Sequence, residues 1–176
     1  SRLQEIKKHL PILVQAVVKL RSEDSSLQFI LGASPQVNWS QWLLPDWIQV
    51  ESEYPQKALE CADLALVASG TSTLEAAVFG TPMIVIYKMA TISWWISRVL
   101  VSVSFAGMVN IIAGKEIMPE LIQKNATPER VFSTASSILK NPEKIEKMVA
   151  DLKEVQVKLK GVGASNKAAT YILELK

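Results

Sequence analysis

Four short apolar runs, Leu27–Leu31, Ile48–Val50, Leu64–Ala68 and Met83–Tyr87, constrain this chain more than any other feature. Their largely unbroken apolar character is that of strands buried on both faces, which is how parallel sheets sit inside a protein. Segments of helical character lie around them. Pro11–Arg21 carries Leu13, Val14, Val17 and Leu20 at helix spacing, and Pro55–Cys61 and Ser72–Phe79 follow the second and third runs. The alternation predicts β/α units and an α/β, Rossmann-like parallel sheet flanked by helices. Pro11 fits either the first turn of its helix or a kink in a longer one that starts near Ser1.

The pattern changes after Tyr87. Ile92, Trp95, Ile96, Val99, Leu100 and Val103 fall at helix spacing, with Trp94, Val101 and Phe105 as a second apolar ridge. The stretch Ile92–Ile112 contains Arg98, Gly107 and Asn110, so it falls short of the about 18 clean apolar residues of a membrane span. Residues 76–115 have no acidic side chain but include Lys88, Arg98 and Lys115 with Trp94 and Trp95. That composition fits an interfacial helix facing anionic lipid, although apolar ridges on two faces fit burial between domains or subunits better. From Thr127 onward the chain is charged and helical, with expected segments Pro128–Leu139, Pro142–Leu159 and Ala164–Leu175. The expected organisation is a Rossmann-like unit at 1–126 and a helical tail at 127–176 that packs on it.

Composition removes several functions. A chain of 176 residues, 49% hydrophobic, is enough for one core, and a net charge of +2 provides no field for nucleic acid. Cys61 is the only cysteine, so no internal disulfide forms and a reducing cytoplasm suits the chain. His9 is the only histidine, which excludes a multi-histidine metal site and makes a Ser-His-Asp triad improbable; it is expected to cap or line a helix surface. The opening residues Ser1-Arg2-Leu3-Gln4-Glu5 read as a helix start rather than an export leader.

The segment that carries chemistry is Ala68-Ser69-Gly70-Thr71-Ser72-Thr73-Leu74-Glu75-Ala76-Ala77, where a buried strand opens into a helix. A helix N-terminus presents unpaired N–H groups and partial positive charge, and Gly70 allows close approach of an anion. A diphosphate fits there. Hydroxyls of Ser69, Thr71, Ser72 and Thr73 can donate to phosphate oxygens, and Glu75 can accept from ribose hydroxyls. A plainer reading stands beside this one: Ser72 or Thr71 caps the helix and Glu75 completes a capping box.

Ser69-Gly70-Thr71-x-Thr73-Leu74-Glu75-Ala76-Ala77, Gly80-Thr81-Pro82-Met83 and Tyr87-Lys88 together resemble the lipid-A-disaccharide synthase family. Ser1-Arg2-x-x-Glu5-Ile6 with Leu10-Pro11 resembles the segment after that family's interdomain turn, and Asn110-Ile111-Ile112-Ala113-Gly114-x-Glu116-Ile117-x-Pro119-Glu120-Leu121-Ile122-Gln123 its late donor-site loop. Val109 departs from the family, which usually has Pro there. The resemblance implies the C-terminal half of a GT-B fold. This half would bind a UDP-linked glucosamine (UDP-GlcNAc) donor. The whole enzyme would transfer acylated glucosamine from UDP-2,3-diacylglucosamine to 2,3-diacylglucosamine 1-phosphate with inversion.

By the same resemblance Arg2 clamps the diphosphate, Gly70, Thr71 and Thr73 bind phosphate with Ser69 and Ser72 beside them, and Glu75 binds the ribose. Asn110, Glu120 and Gln123 would contact sugar or diphosphate. The general base is expected in a preceding domain, so no catalytic residue is assigned to this chain, which alone would be inactive. Neither a metal nor another cofactor is expected. A lipid-linked acceptor implies peripheral contact with the inner membrane from the cytoplasmic side, and an uncovered interdomain face makes a homodimer plausible. A stand-alone nucleotide-sugar-binding subunit, or another UDP-GlcNAc enzyme of the same architecture, is the alternative.

Overall fold

A computed structural model describes residues 3–88, 105–159 and 170–174. Helix α1, Leu3–Glu23, is continuous through Pro11, which settles the choice in favour of one long helix. Ile6, His9, Leu10, Ile12, Ala16 and Leu20 form its buried face. Strand β1, Phe29–Gly32, pairs in parallel with β2, Ile48–Glu51, and a 3₁₀ turn at Trp39–Gln41 lies between them. Helix α2, Gln56–Glu60, then leads to β3, Ala65–Ala68, and helix α3 is Ser72–Phe79. Next come β4, Met83–Tyr87, helix α4, Met108–Ala113, and β5, Glu120–Ile122. Strands β3, β4 and β5 form a parallel sheet in that order.

All four predicted strands are present. They divide between a two-stranded and a three-stranded sheet rather than forming one continuous sheet. Strand β5 was not among the apolar runs, because it has three residues and opens on a charged one. As the central strand, β4 is the most deeply buried: Met83, Ile84, Val85 and Ile86 are inaccessible or nearly so. That is why its sequence is uniformly apolar.

Helices α5, Pro128–Leu139, and α6, Pro142–Leu159, begin and end where the sequence indicates. Thr127 caps α5, its hydroxyl accepting the Arg130 N–H at 3.3 Å, and Pro128 takes the first helical position, where a missing N–H costs nothing. Helix α5 packs on α1, and α6 packs on α3, α4 and α5. Two side chains of α6 reach the ends of its neighbours. The Gln156 amide donates to the Ala77 and Val78 carbonyls near the end of α3, at 2.9 and 3.0 Å, and the Lys158 ammonium donates to the Ile112 carbonyl of α4 at 3.0 Å.

Among the described residues no helix is long and apolar enough to cross a membrane. The expected amphipathic helix around Trp94 and Trp95 lies outside the described residues. Most of Ala164–Leu175 does too, although 170–174 is helical.

Candidate functional site

The strands β3, β4 and β5 all run the same way, so their carboxyl ends, Ala68, Tyr87 and Ile122, share one edge of the sheet. In open α/β sheets that edge is where ligands bind. The β3–β4 ladder continues one step, the Ser69 N–H donating to the Ile86 carbonyl at 3.0 Å, before the chain swings into α3. Gly70 makes the swing with φ 142°, a region open essentially to glycine alone, and a Cβ placed there would meet nothing within 4 Å. Glycine is thus required by the backbone, while the space above it is open.

Thr73 is fully buried and closes the turn, its hydroxyl donating to the Gly70 carbonyl at 2.8 Å. The Thr73 N–H donates to the same carbonyl, and the Leu74 and Glu75 N–H groups donate to the Thr71 carbonyl. The N–H groups of Gly70, Thr71 and Ser72 have no partner among the described residues. Thr71, at the cap position, makes no side-chain capping bond, and Ser72 and Glu75 are exposed without one. The capping-box reading is therefore not realised. The helix start stays open, with three N–H donors and the positive end of its dipole at the carboxyl edge.

Beside this open end lies a closed one. Glu120, the first residue of β5, accepts the Ala106 and Gly107 N–H groups at the start of α4, both at 2.8 Å. Asn110 is completely buried. Its amide nitrogen donates to Glu120 Oε1 and the Met118 carbonyl, both at 2.8 Å, and its oxygen accepts the Ile117 and Met118 N–H groups at 2.9 and 3.0 Å. Both donor hydrogens and both lone pairs of the Asn110 amide are thus used inside the protein. A Cβ on Gly107 would come within 3.1 Å of Glu120 Oε1, so a side chain there would push the carboxylate from its seat. Ser69 joins the open end to this turn, its hydroxyl donating to the Ala106 carbonyl at 2.8 Å. Val109 is the second residue of α4, and its N–H has no partner among the described residues. Proline at that position would therefore forfeit no hydrogen bond made by valine among the described residues.

Gln123 leaves β5 with φ 51°, and its side-chain Nε2 is buried without a hydrogen-bond partner. An unpaired buried amide donor is costly, which marks this one for a partner the described residues do not supply. Arg2 lies outside the described residues. The structure thus brings Ser69–Glu75 and Gln123 to one edge. It holds Asn110 and Glu120 just behind, as the frame of the adjoining turn.

His9 departs from expectation. It is 4% exposed rather than on a helix surface, and its Nε2 accepts the Lys88 N–H at 2.8 Å while its ring stacks on Tyr87. Burial holds its pKa below the usual histidine value, against a hydrogen bond with the Glu5 backbone that favours the proton. Its position on the face formed by Ile6, Leu10, Ile12 and Ala16 was the signal that could have placed it inside.

Rigid N–H donors at a dipole's positive end can stabilise negative charge that grows on a leaving phosphate. Among the described residues no three His, Cys, Asp or Glu side chains converge as a metal site. A cleft of about 300 Å³ lined by Glu23, Asp24, Asp63 and Lys140 lies where Asp63 leads into β3, at the opposite edge. We place the site by its free donors rather than by cleft size.

Parallel strands that deliver an open helix start to the carboxyl edge define a Rossmann-like α/β domain. Solved structures share the fold. A glycotransferase of kitacinnamycin superposes with TM-score 0.55 at 20% identity, over 91% of this chain and 38% of that one. The spinosyn forosaminyltransferase SpnP does so with TM-score 0.55 at 18% identity, over 96% and 40%. The family model for lipid-A-disaccharide synthetase matches residues 1–174, and the chain belongs to that family. It is 36% identical over 99% of its length to the lipid-A-disaccharide synthase of Syntrophus aciditrophicus, and 36% identical over 96% to that of Nitrosococcus oceani. The Myxococcus xanthus enzyme is 32% identical over 99% of the chain. The chain spans about half the length of these relatives, 47%, 45% and 47% respectively.

Proposed function

We propose that this chain is the donor-binding half of a lipid-A-disaccharide synthase, holding a UDP-linked glucosamine by its diphosphate at the start of α3. The observation that carries the reading is the set of three N–H groups, Gly70, Thr71 and Ser72, that have no partner among the described residues and lie at the carboxyl edge of the sheet. Exposed Glu75 stands one turn further along α3 and binds the ribose hydroxyls. Gln123 gives its unpaired Nε2 to the donor, and Arg2 clamps the diphosphate from the chain start. Thr73 and Ser69 act through the backbone they fix, and Asn110 and Glu120 through the turn they hold.

In the whole enzyme, acylated glucosamine passes from UDP-2,3-diacylglucosamine to 2,3-diacylglucosamine 1-phosphate. The acceptor hydroxyl attacks the anomeric carbon, the bond to the diphosphate oxygen breaks with inversion, and the proton goes to a base in the other half. The N–H donors of α3 bear on the oxygens that gain charge as UDP leaves. Helix dipole and arginine offset that charge, so donor binding proceeds without a divalent cation. The tail from 127 onward belongs to the same unit, braced by Gln156 and Lys158 against the two helices of the site. Contact with the inner-membrane surface, on the cytoplasmic side, follows from the lipid-linked acceptor, and pairing with a second copy is part of the same reading.

Calorimetry tests the donor reading. UDP added without Mg²⁺ gives saturable heats, and the chain by itself gives no disaccharide. Absence of UDP binding at millimolar concentration sinks the proposal, and turnover by this chain alone overturns the placement of the base.

A further inference from the structure

We propose that His9 is a positioning residue of the donor site, holding the chain where it leaves the central strand so that Lys88 stays beside the phosphate-binding turn. The proposal rests on the diphosphate reading above. Lys88 is the first residue after β4, and β4 lies between β3, which runs into Ser69–Gly70, and β5, which runs into Gln123. The register Ala68↔Ile86, continued by the Ser69 N–H to the Ile86 carbonyl, brings Ser69 beside Tyr87, so that Gly70 and Lys88 are the next residues of the two chains at the same carboxyl edge. Lys88 is exposed and makes no ion pair among the described residues. Its ammonium is therefore available to a ligand held by the N–H groups of α3.

What fixes Lys88 is a single side chain distant in sequence. The His9 Nε2 accepts its N–H at 2.8 Å, and the ring stacks on Tyr87 with centroids 6.0 Å apart and planes 20° from parallel. An acceptor nitrogen must be unprotonated, so the tie exists only while the imidazole is neutral. Protonation would remove the acceptor and set a second cation against the Lys88 backbone. The groups bearing on the ring agree with the neutral form. Burial, Lys8 on its own helix and Lys88 on the strand side disfavour the proton, and only Glu5 favours it. Tyr87 is the other titratable neighbour, and the turn at 33–45 has no titratable side chain.

The consequence is a donor affinity that depends on one proton. The pKa lies below the ordinary histidine value, so the tie is intact above about pH 6.5 and is lost as the pH falls through the lowered value. The experiment measures binding of UDP-N-acetylglucosamine, whose diphosphate diester keeps its charge throughout, by calorimetry between about pH 8 and pH 5. Wild-type affinity should fall by about fivefold across that range, the worth of one hydrogen bond to a positioned backbone. His9→Gln places an untitratable oxygen near the Nε2 position. It should bind like wild type at the upper pH and lose the slope. His9→Leu should bind about fivefold more weakly at every pH. Should His9→Leu fail to fold, the wild-type profile and His9→Gln decide alone. A flat wild-type profile, a slope that survives in His9→Gln, or a His9→Gln variant that binds weakly at the upper pH overturns the proposal while leaving the donor site standing. No binding by wild type at any pH removes the donor reading and the proposal with it.

Discussion

Replacing Asn110 with alanine separates a sugar-binding role from a framing role, because the two predict losses in different quantities. The buried amide satisfies the Ile117 N–H, the Met118 N–H and the Met118 carbonyl, and it also supports Glu120. Truncation leaves those three backbone groups without partners in a site from which Asn110 itself is fully excluded from solvent. Each buried unsatisfied group costs about 1–3 kcal/mol, and water entering the small cavity recovers part of it. The expected loss of unfolding free energy is about 3–5 kcal/mol, at the upper end for a single substitution. Urea denaturation followed by circular dichroism reads it as a lower midpoint with an unchanged slope. Asn110→Asp is a sharper companion. It keeps the accepting oxygen but turns a second oxygen toward the Met118 carbonyl and Glu120, so it should be at least as destabilising at neutral pH and recover as acid protonates it. A loss below about 1 kcal/mol for Asn110→Ala, with a large fall in UDP-sugar affinity, would refute the framing role.

Gly70→Ala meets no steric obstacle, so its cost is the backbone strain of φ 142°, about 1–3 kcal/mol, or a shifted turn that spoils the N–H cluster. Either way UDP affinity should fall at least tenfold by calorimetry, and an unchanged affinity contradicts the role of the turn. Glu75→Ala removes an exposed carboxylate with no partner among the described residues, so stability should stay within about 0.5 kcal/mol while UDP weakens more than uracil does. Equal weakening of both ligands would remove Glu75 from the ribose. Asp151 is held below the usual carboxylate pKa, first by the Lys147 ammonium at 2.7 Å and then by Lys115 at 3.2 Å. Its contribution is present above about pH 4 and lost as the pH falls through the lowered value. Asp151→Asn should therefore cost about 1 kcal/mol near neutral pH and progressively less as acid protonates the wild-type carboxylate, and thermal melts across an acid series check this.

The parts of the fold that could be read from sequence are those in which one local pattern decides. Uniform burial of β4 produces an uninterrupted apolar run, and Thr127-Pro128 announces the start of α5 through its own side chain and ring. Strand β5 has no such pattern. Three residues beginning with Glu120 are too short to show a period, and they are a strand only because β4 is there to pair with them. The division into two sheets is likewise a property of how strands meet in space, which no run of residues encodes.

Within the site, the open start of α3 was legible because strand, glycine and helix follow one another in the chain. Its competitor, the capping box, used the same letters, and only side-chain orientation rejects it. Asn110 and Glu120 were singled out by the family resemblance rather than by any local pattern. Whether they face a ligand or each other depends on contacts between 106–110 and 117–120 that the sequence does not display. His9 shows the same limit, since its partner lies 79 positions away.

The most direct measurement of the central claim is a titration of the ¹⁵N-labelled protein with UDP, following backbone amide resonances. The account predicts saturable shifts at Gly70, Thr71 and Ser72, the three amides at the carboxyl edge without a partner among the described residues. It predicts little change at the amides of Ala106 and Gly107, which Glu120 already holds. Shifts centred instead on the cleft of Glu23, Asp63 and Lys140, or none at Gly70–Ser72 when UDP is saturating, would contradict it.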